Sequence, residues 1–498
     1  MRHRCRKDWF WVWLLAMAFS WGWNELNIHM LREDPVHSVR VSAAGTLVSA
    51  DDYSYLHPVE QWIAGMPSSG PVLRTPGYGI WYALSRALAP LPKALKVVAL
   101  LQCALFAASV ALFHHALAVQ GFAGLGRWAW ALLLAVVPMF HGFLFHTLTE
   151  GITPSLALAI WACTLCAHGD RGGRWTVIGA MLWAFLVLTR PVLIWVGLPL
   201  LVVTWQRAAP GRRWRLPAML VLLACLPTAV FWVHNAVMNQ GPISLHPVYS
   251  EDAQGLFRPT HKAFWELAKS WGIRGHEFHQ VMVPAFDDAM AGRVDTARAE
   301  AFVRTAPAGH LTKAQAALIG TTFMQWQRFT RLRLAPAAAG MAPPLLGVQP
   351  EERAIIERLD GITAHYRRDH AFHYHVVVPF QVLWVLVGHS NLSMFVFQHP
   401  WRGNPLMEAF RWACAILHLA LFCSLLVHLG LRTDVRCRAL AFGALLYLGY
   451  LAYVQRGVEE RYTLPVLFLA VGMAPMLMRT ARSHWHAFRS REQALSGP

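Results

Sequence analysis

The sequence predicts an all-α integral membrane protein with about ten transmembrane helices, a long outer first loop and a mainly helical outer segment. Three observations carry that expectation. Of 498 residues, 56% are hydrophobic and only 14% charged, against the about 25% charge of a soluble domain, so the chain lacks the polar surface that water requires. Mean hydropathy is +0.36, and apolar windows near the roughly 20 residues needed to cross a bilayer recur along most of the length. Lys and Arg outnumber Asp and Glu by 44 to 27, and the Arg gather in short segments between apolar runs, where positive charge sets orientation. In a soluble chain that excess would suggest nucleic acid. Here membrane topology accounts for it, and no nucleic-acid partner is expected.

The basic N-terminus (Arg2, Arg4, Arg6, Lys7) leads into an apolar run from Trp9. That run holds bulky Trp and no small-residue cleavage site before Asn24, so it reads as a retained first helix rather than a signal peptide. The candidate spans are 9–30, 96–119, 128–146, 152–168, 175–189, 191–206, 216–234, 408–430, 438–455 and 462–478. With the N-terminus inside, segments 120–127, 169–174, 207–215, 431–438 and the tail after Arg479 become cytoplasmic, and all five carry net positive charge. Parity then requires that 373–398 does not cross. Its apolar core, 376–388, has 13 residues, a length suited to an interfacial or re-entrant segment.

The chain therefore divides into a transmembrane catalytic region 1–234 with first outer loop 31–95, an outer segment 235–372, the interfacial segment 373–398, and C-terminal helices with a basic tail over 399–498. The expected location is the cell inner membrane, multi-pass, with both termini cytoplasmic and membrane lipids as surroundings. Within the outer segment, 297–305 and 351–368 are patterned as helices, and the Ala- and Pro-rich stretch 335–344 reads as a linker. No internal repeat is present.

The eight cysteines give no disulfide framework. Cys163-x-x-Cys166 lies inside a span with no βαβ context, so both behave as small hydrophobes. His276-Glu277-Phe278-His279 falls one residue short of the histidine spacing of a zinc-protease helix. His370, His373 and His375, interleaved with Phe372 and Tyr374, read as an interfacial belt in preference to a metal site.

Ionisable residues near membrane depth are candidates for function. Once topology is drawn, several fall at one face: Asp51, Asp52 and Arg74 in the first loop, Glu150 in the next outer turn, and Arg190 at the apex of a helical hairpin. His234 and Asn235 at the end of the seventh span, and Arg461 and Tyr462 at the start of the last, join them. A carboxylate there can take a proton from an acceptor hydroxyl or amine, while Arg or a metal held by acids stabilises a departing phosphate. At the membrane boundary this chemistry suits sugar transfer from a polyprenyl-phosphate carrier. Bland roles stand beside these. Asp51 or Asp52 could cap a helix starting near Tyr53, Glu150 could cap the fourth span, Arg190 could snorkel, Arg461 could be a flanking charge, and His234 a satisfied interfacial histidine.

The stretch Asp51-Asp52-Tyr53-Ser54-Tyr55-Leu56, then Gly65 and Arg74-Thr75-Pro76-Gly77-Tyr78, resembles the first-loop signature of C-type membrane glycosyltransferases. The pattern is that of the bacterial branch holding aminoarabinose transferases and protein O-mannosyltransferase-like proteins. Thr149-Glu150, Thr189-Arg190-Pro191, Val233-His234-Asn235 through Ile243-Ser244, and Glu460-Arg461-Tyr462-Thr463-Leu464-Pro465 follow in the order expected of that family. The resemblance implies Asp51 as catalytic base with Asp52 beside it, Arg74 as a phosphate contact, and Glu150 as a site-shaping or metal-binding acid. Arg190 and Arg461 join the phosphate-binding set, with Tyr55, His234, Asn235 and Tyr462 positioning donor or acceptor. A divalent metal on Asp51 and Glu150 is the one cofactor considered. The expected donor is a polyprenyl-phosphate sugar and the acceptor a lipid, glycan or protein. The chain departs from the family in having His234 where Arg often stands, and 235–372 matches no known pattern. The competing reading is a transporter or flippase of lipid-linked sugar, but such proteins place charges near the midplane on broken helices, often in repeated halves.

Overall fold

The computed structural model describes residues 2–33, 39–66, 74–168, 172–238, 249, 251–388, 403–431 and 433–495. The first apolar run is one long helix, α1 (Arg2–Glu33). Its polar residues Ser20, Asn24 and Asn27 are buried, and Asn24 Nδ2 donates both to Ser20 O at 2.8 Å and across the bundle to His141 O at 3.1 Å. Polar atoms in a membrane helix are thus used between helices. The first loop forms a short antiparallel ribbon, β1 (Arg40–Val41) and β2 (Leu47–Val48), turned at Gly45, whose φ of +67° suits glycine. A 3-10 turn at Ala50–Asp52 opens α2 (Tyr53–Ile63), and α3 (Gly77–Leu88) follows.

The bundle continues with α4 (Lys93–Val119), α5 (Gly124–Val136), α6 (Thr153–Ala167), α7 (Gly172–Thr189), α8 (Leu198–Arg207) and α9 (Arg215–Met238). Segment 235–372 contributes α10 (Pro259–Lys269), α11 (Phe278–Met290), α12 (Thr296–Arg304), α13 (Lys313–Phe329), α14 (Ala335–Ala338) and α15 (Pro350–Asp369). The chain then returns through α16 (Val378–Gly388), α17 (Pro405–Gly430), α18 (Val435–Tyr450) and α19 (Leu464–Leu495). α6 is buried over its whole length and packs against α4, α7 and α19. Trp161 Nε1 donates to Gly472 O at 2.8 Å, and a Cβ on Gly472 would meet the Trp161 ring at 2.7 Å, so these two helices are in close approach.

Among the described residues six helices are long and apolar enough to cross a membrane: Lys93–Val119, Thr149–Ala167, Arg215–His234, Pro405–Gly430, Val435–Gln455 and Glu460–Ser490. The four further expected spans are helical but shorter or more polar. The expected 128–146 span stops at Val136, because Pro138 has no N–H to continue the ladder and opens a 3-10 turn. The pair 175–189 and 191–206 divides at Arg190-Pro191, where a 3-10 stretch, Pro191–Gly197, precedes α8. α1 is long, yet carries the polar residues just described.

Segment 235–372 has its own aromatic core, including Phe264, Phe278, Phe302, Phe323 and Trp326. Arg258 and Glu352 form a buried bidentate pair, with Nε–Oε1 at 2.7 Å and Nη2–Oε2 at 2.6 Å. Arg258 also donates to Ala253 O and Gly347 O, so the buried charges are fully hydrogen-bonded. The expected helices at 297–305 and 351–368 are α12 and α15. The 335–344 stretch begins as helix α14 and only then becomes a turn, since Ala337 packs beside Phe329 and Leu334. After Asp369 the chain bends by 94° into His373–Gly388. Phe372, Phe380 and Trp384 are exposed on this bent element; residues 389–398 lie outside the described residues. His310 Nδ1 and His373 Nδ1 share the Tyr366 hydroxyl at 2.8 and 3.1 Å, an arrangement for a hydrogen-bond knot rather than for a cation.

Candidate functional site

A polar lattice docks the first loop onto the turn between α5 and α6. Leu47 N donates to Phe145 O at 2.9 Å. Gln102 of α4 donates to Leu144 O at 2.7 Å and His146 O at 3.0 Å while accepting from the Tyr78 hydroxyl at 3.1 Å. Asp52 belongs to this lattice. It is buried, accepts from Ser49 N at 3.0 Å and Ser49 Oγ at 2.8 Å, and takes the Thr147 hydroxyl. It stands at the N-cap of α2 without making a side-chain cap bond. Burial raises its pKa to about 6, against the lowering effect of those hydrogen bonds.

Asp51 faces the other way. Its side chain is 39% exposed and lies between two guanidiniums, Arg461 Nη2 at 2.7 Å and Arg74 Nη2 at 3.5 Å. Arg74 is steadied by Ser54 Oγ at 3.2 Å and sits 4.9 Å from the Tyr55 ring centre. Tyr55 meets Tyr78 edge-on at 5.4 Å. The Arg74 stretch is docked on the hairpin apex. Thr75 Oγ1 donates to Thr189 O at 3.0 Å, and Gly77 lies so close that a Cβ there would meet Thr189 N and Cα at 2.6 Å. Two sequence landmarks more than a hundred residues apart are therefore one contact.

Glu150 is 4% exposed and pairs with Arg190, Nη1–Oε1 2.5 Å, while Thr149 Oγ1 donates to its other oxygen at 3.0 Å. Arg190 lies 4.7 Å over the Tyr462 ring, and Tyr447 fixes Tyr462 by donating to its carbonyl at 3.0 Å. Arg461 pairs also with Glu459. Asp51, Arg74, Tyr55, Glu150, Arg190, Arg461 and Tyr462 thus converge. One expected member, His234, is not brought in. His234 is exposed near the end of α9 and shares no hydrogen bond or ion pair with this group among the described residues; the side chain of Asn235 lies outside what is described.

The solved structures similar to this chain are aminoarabinose transferases. ArnT from Cupriavidus metallidurans in the apo state matches at 16% identity, over 91% of this chain and 75% of that one, with a TM-score of 0.34. The same protein bound to undecaprenyl phosphate matches at 15% identity, over 97% and 80% of the two chains, again with a TM-score of 0.34. No protein-family model matches the sequence, and no curated protein does. At this identity and superposition no residue's role follows from the likeness.

Asp51 and Glu150 do not fit a divalent cation as they stand. Asp51 spends both oxygens on guanidiniums, Glu150 divides its own between Arg190 and the Thr149 hydroxyl, a cation between them would face three arginines, and no group of three His, Cys, Asp or Glu converges among the described residues. Sequence reasoning missed Glu459, Thr147 and Gln102. Glu459 directly precedes the recognised Glu460-Arg461-Tyr462 run, so position alone could have suggested it; Thr147 and Gln102 carry no motif. Segment 235–372 lies within electrostatic range of the group. Desolvation beside Trp265 and Phe278 lowers the pKa of His279, and the charge of Asp51 pulls it back up.

Proposed function

We propose that this chain is an inverting glycosyltransferase that moves a sugar from a polyprenyl-phosphate donor to an acceptor at the outer face of the inner membrane. The observation that carries the reading is the accessible Asp51 carboxylate held between Arg74 and Arg461. The ten-helix topology with both termini cytoplasmic belongs to the same proposal.

The arrangement couples donor binding to activation of the base. Without donor, Asp51 is neutralised by two guanidiniums. The donor's phosphodiester monoanion is also a bidentate partner for Arg, so the carrier phosphate competes with Asp51 for Arg74 and Arg461 and frees the carboxylate as it binds. Asp51 then removes the proton from the acceptor hydroxyl or amine as that atom attacks the anomeric carbon. The bond from that carbon to the phosphate oxygen breaks, its electron pair leaves with the carrier phosphate, and the arginines balance the charge that develops. Asp52 and Glu150 are shielded. Asp51 is the accessible one of these three acids, and in this reading it serves as base in a single displacement with inversion. The transporter reading would want its charges midway along broken helices; these gather where first loop, second outer turn, hairpin apex and last-helix start meet.

The test is sugar transfer in membranes supplied with a panel of polyprenyl-phosphate sugars. Asp51→Asn keeps shape and removes the base, and transfer is expected to fall about 10²–10⁴-fold with normal insertion. Transfer within a few-fold of the parent protein would overturn the assignment.

A further inference from the structure

α19 runs on past the bilayer. Its 32 residues make about 48 Å at 1.5 Å per residue, and a hydrocarbon core of about 30 Å entered at Leu464 ends about twenty residues on, near His484. The helix leaves the bundle at Arg479, whose guanidinium is spent on Gln120 O at 2.8 Å and on the Phe122 ring at 3.9 Å. The turns that follow lie at the level of the head groups and just beyond. Every residue from Ala481 to Ser490 is exposed, Trp485 at 55% and Phe488 at 54%. These turns have no tertiary packing among the described residues. A helix end of that kind frays, so a surface that covered it would order it.

We propose that this end of α19 is a binding site for anionic phospholipids of the leaflet from which it emerges, with lipid phosphates at Arg482 and Arg489 and the Trp485 ring among the head groups. Arg482, Trp485 and Arg489 are spaced by three and then four residues, so they share one face of the helix. Trp485 stacks on Phe488 with ring centres 6.3 Å apart, and the Arg489 guanidinium lies 5.1 Å over Trp485. That stacking uses the flat face of the guanidinium and leaves its N–H edges to a phosphate. Neither Arg482 nor Arg489 makes a hydrogen bond or ion pair with a described residue. The stretch carries Arg479, Arg482, Arg489 and Arg491 against one acid, Glu492, which stands beyond them, farther from the bilayer. Aromatic rings and arginines together where a helix leaves the membrane suit an anionic lipid surface. A zwitterionic head group would bring its ammonium to the same arginines. The site rests on the membrane reading of the chain and not on sugar transfer, because it lies at the end of α19 opposite Arg461.

The experiment is amide hydrogen exchange of the full chain, one copy per lipid nanodisc, in phosphatidylcholine alone and in phosphatidylcholine with phosphatidylglycerol. Phosphatidylglycerol is expected to slow exchange over 481–490. Arg482→Gln and Arg489→Gln should each cut that slowing about fivefold, the scale set for one basic residue near an anionic surface. Arg482→Lys should keep most of it, since the surface attracts charge, and Trp485→Ser should weaken protection in both lipids. Arg174→Gln, a basic change on another connection, should leave it unaltered. Equal exchange in the two bilayers, or equal loss in Arg174→Gln and Arg482→Gln, would overturn the site. Protection in phosphatidylcholine that appears only when two copies share a disc would give the face to a second chain and overturn the lipid assignment too. Because exchange rather than transfer is read, failure here leaves the Asp51 chemistry standing, and an inactive enzyme leaves the lipid site standing.

Discussion

Adjacent aspartates can do opposite work. Asp51 and Asp52 share a 3-10 turn, yet one reaches solvent between two arginines and the other is buried on Thr147 and Ser49. The sequence made both candidates legible and singled out Asp51, since the aromatic spacing fits it; it could not show that Asp52 would anchor to a threonine 95 residues away. That anchor has a pH signature. The folded-state pKa of Asp52 is about 6, above its ordinary 3.8, so the folded protein binds the proton more tightly than the unfolded chain. Its contribution is fully present below about pH 4 and is lost as pH rises through 6, by about 3 kcal/mol across the interval. Purified protein should accordingly melt higher at pH 5 than at pH 7.5, with that difference reduced in Asp52→Asn, while the variant keeps measurable transfer. An unchanged pH dependence in Asp52→Asn would remove the buried-acid account.

At the scale of elements, helices were legible where apolar runs were long and uninterrupted, as in α4 and α17. Proline moved the boundary at 138, while at 191 the expected break stands and is followed by a 3-10 stretch before α8, because the effect of one proline depends on whether neighbours can satisfy the freed carbonyls. The docking of the Arg74 stretch on the Thr189–Arg190 apex was invisible, since both landmarks were known but nothing in either names the other. Gly77 is what allows it. A methyl there would meet Thr189 backbone at 2.6 Å, whereas one on Gly79 would meet the Val59 side chain at 3.3 Å and Tyr55 O at an ordinary 3.9 Å. Gly77→Ala must push α3 away from α7 and carry Arg74 with it, and misplacement by about 1 Å costs on the order of 10²-fold in rate. Transfer should therefore collapse in Gly77→Ala and survive in Gly79→Ala, with overpacking lowering stability by about 1–3 kcal/mol in the former. Side-by-side transfer assays and melting curves decide it; equal activity in the two variants would mean the apex contact does not position the site.

For the whole molecule, charge and contact both bear on which segments share a side. Charge alone put 120–127 and the tail after Arg479 on one side. In the folded chain Arg479 Nη2 donates to Gln120 O at 2.8 Å and lies 3.9 Å over Phe122, so these two segments meet. At the other end of α19, Arg461 binds Asp51, and Arg190 binds Glu150 nearby. α9 links the two levels. It runs 24 residues from Arg215, about 36 Å at 1.5 Å per residue, enough for a hydrocarbon core of about 30 Å. Beyond it lies the outer segment, whose His279 is close enough to Asp51 to sense its charge. A reporter fused after Arg215 should therefore read cytoplasmic, one inserted near Gln349 should read outside, and one at the C-terminus should agree with the first. Residues 239–248, which join α9 to the outer segment, lie outside the described residues, so the prediction depends on α9 crossing rather than on any loop path. If the Arg215 and Gln349 reporters gave the same side, α9 would not span, the outer segment would share a compartment with the Arg-rich connections, and the convergence of Asp51, Arg74 and Arg461 on one accessible face would lose its physical basis.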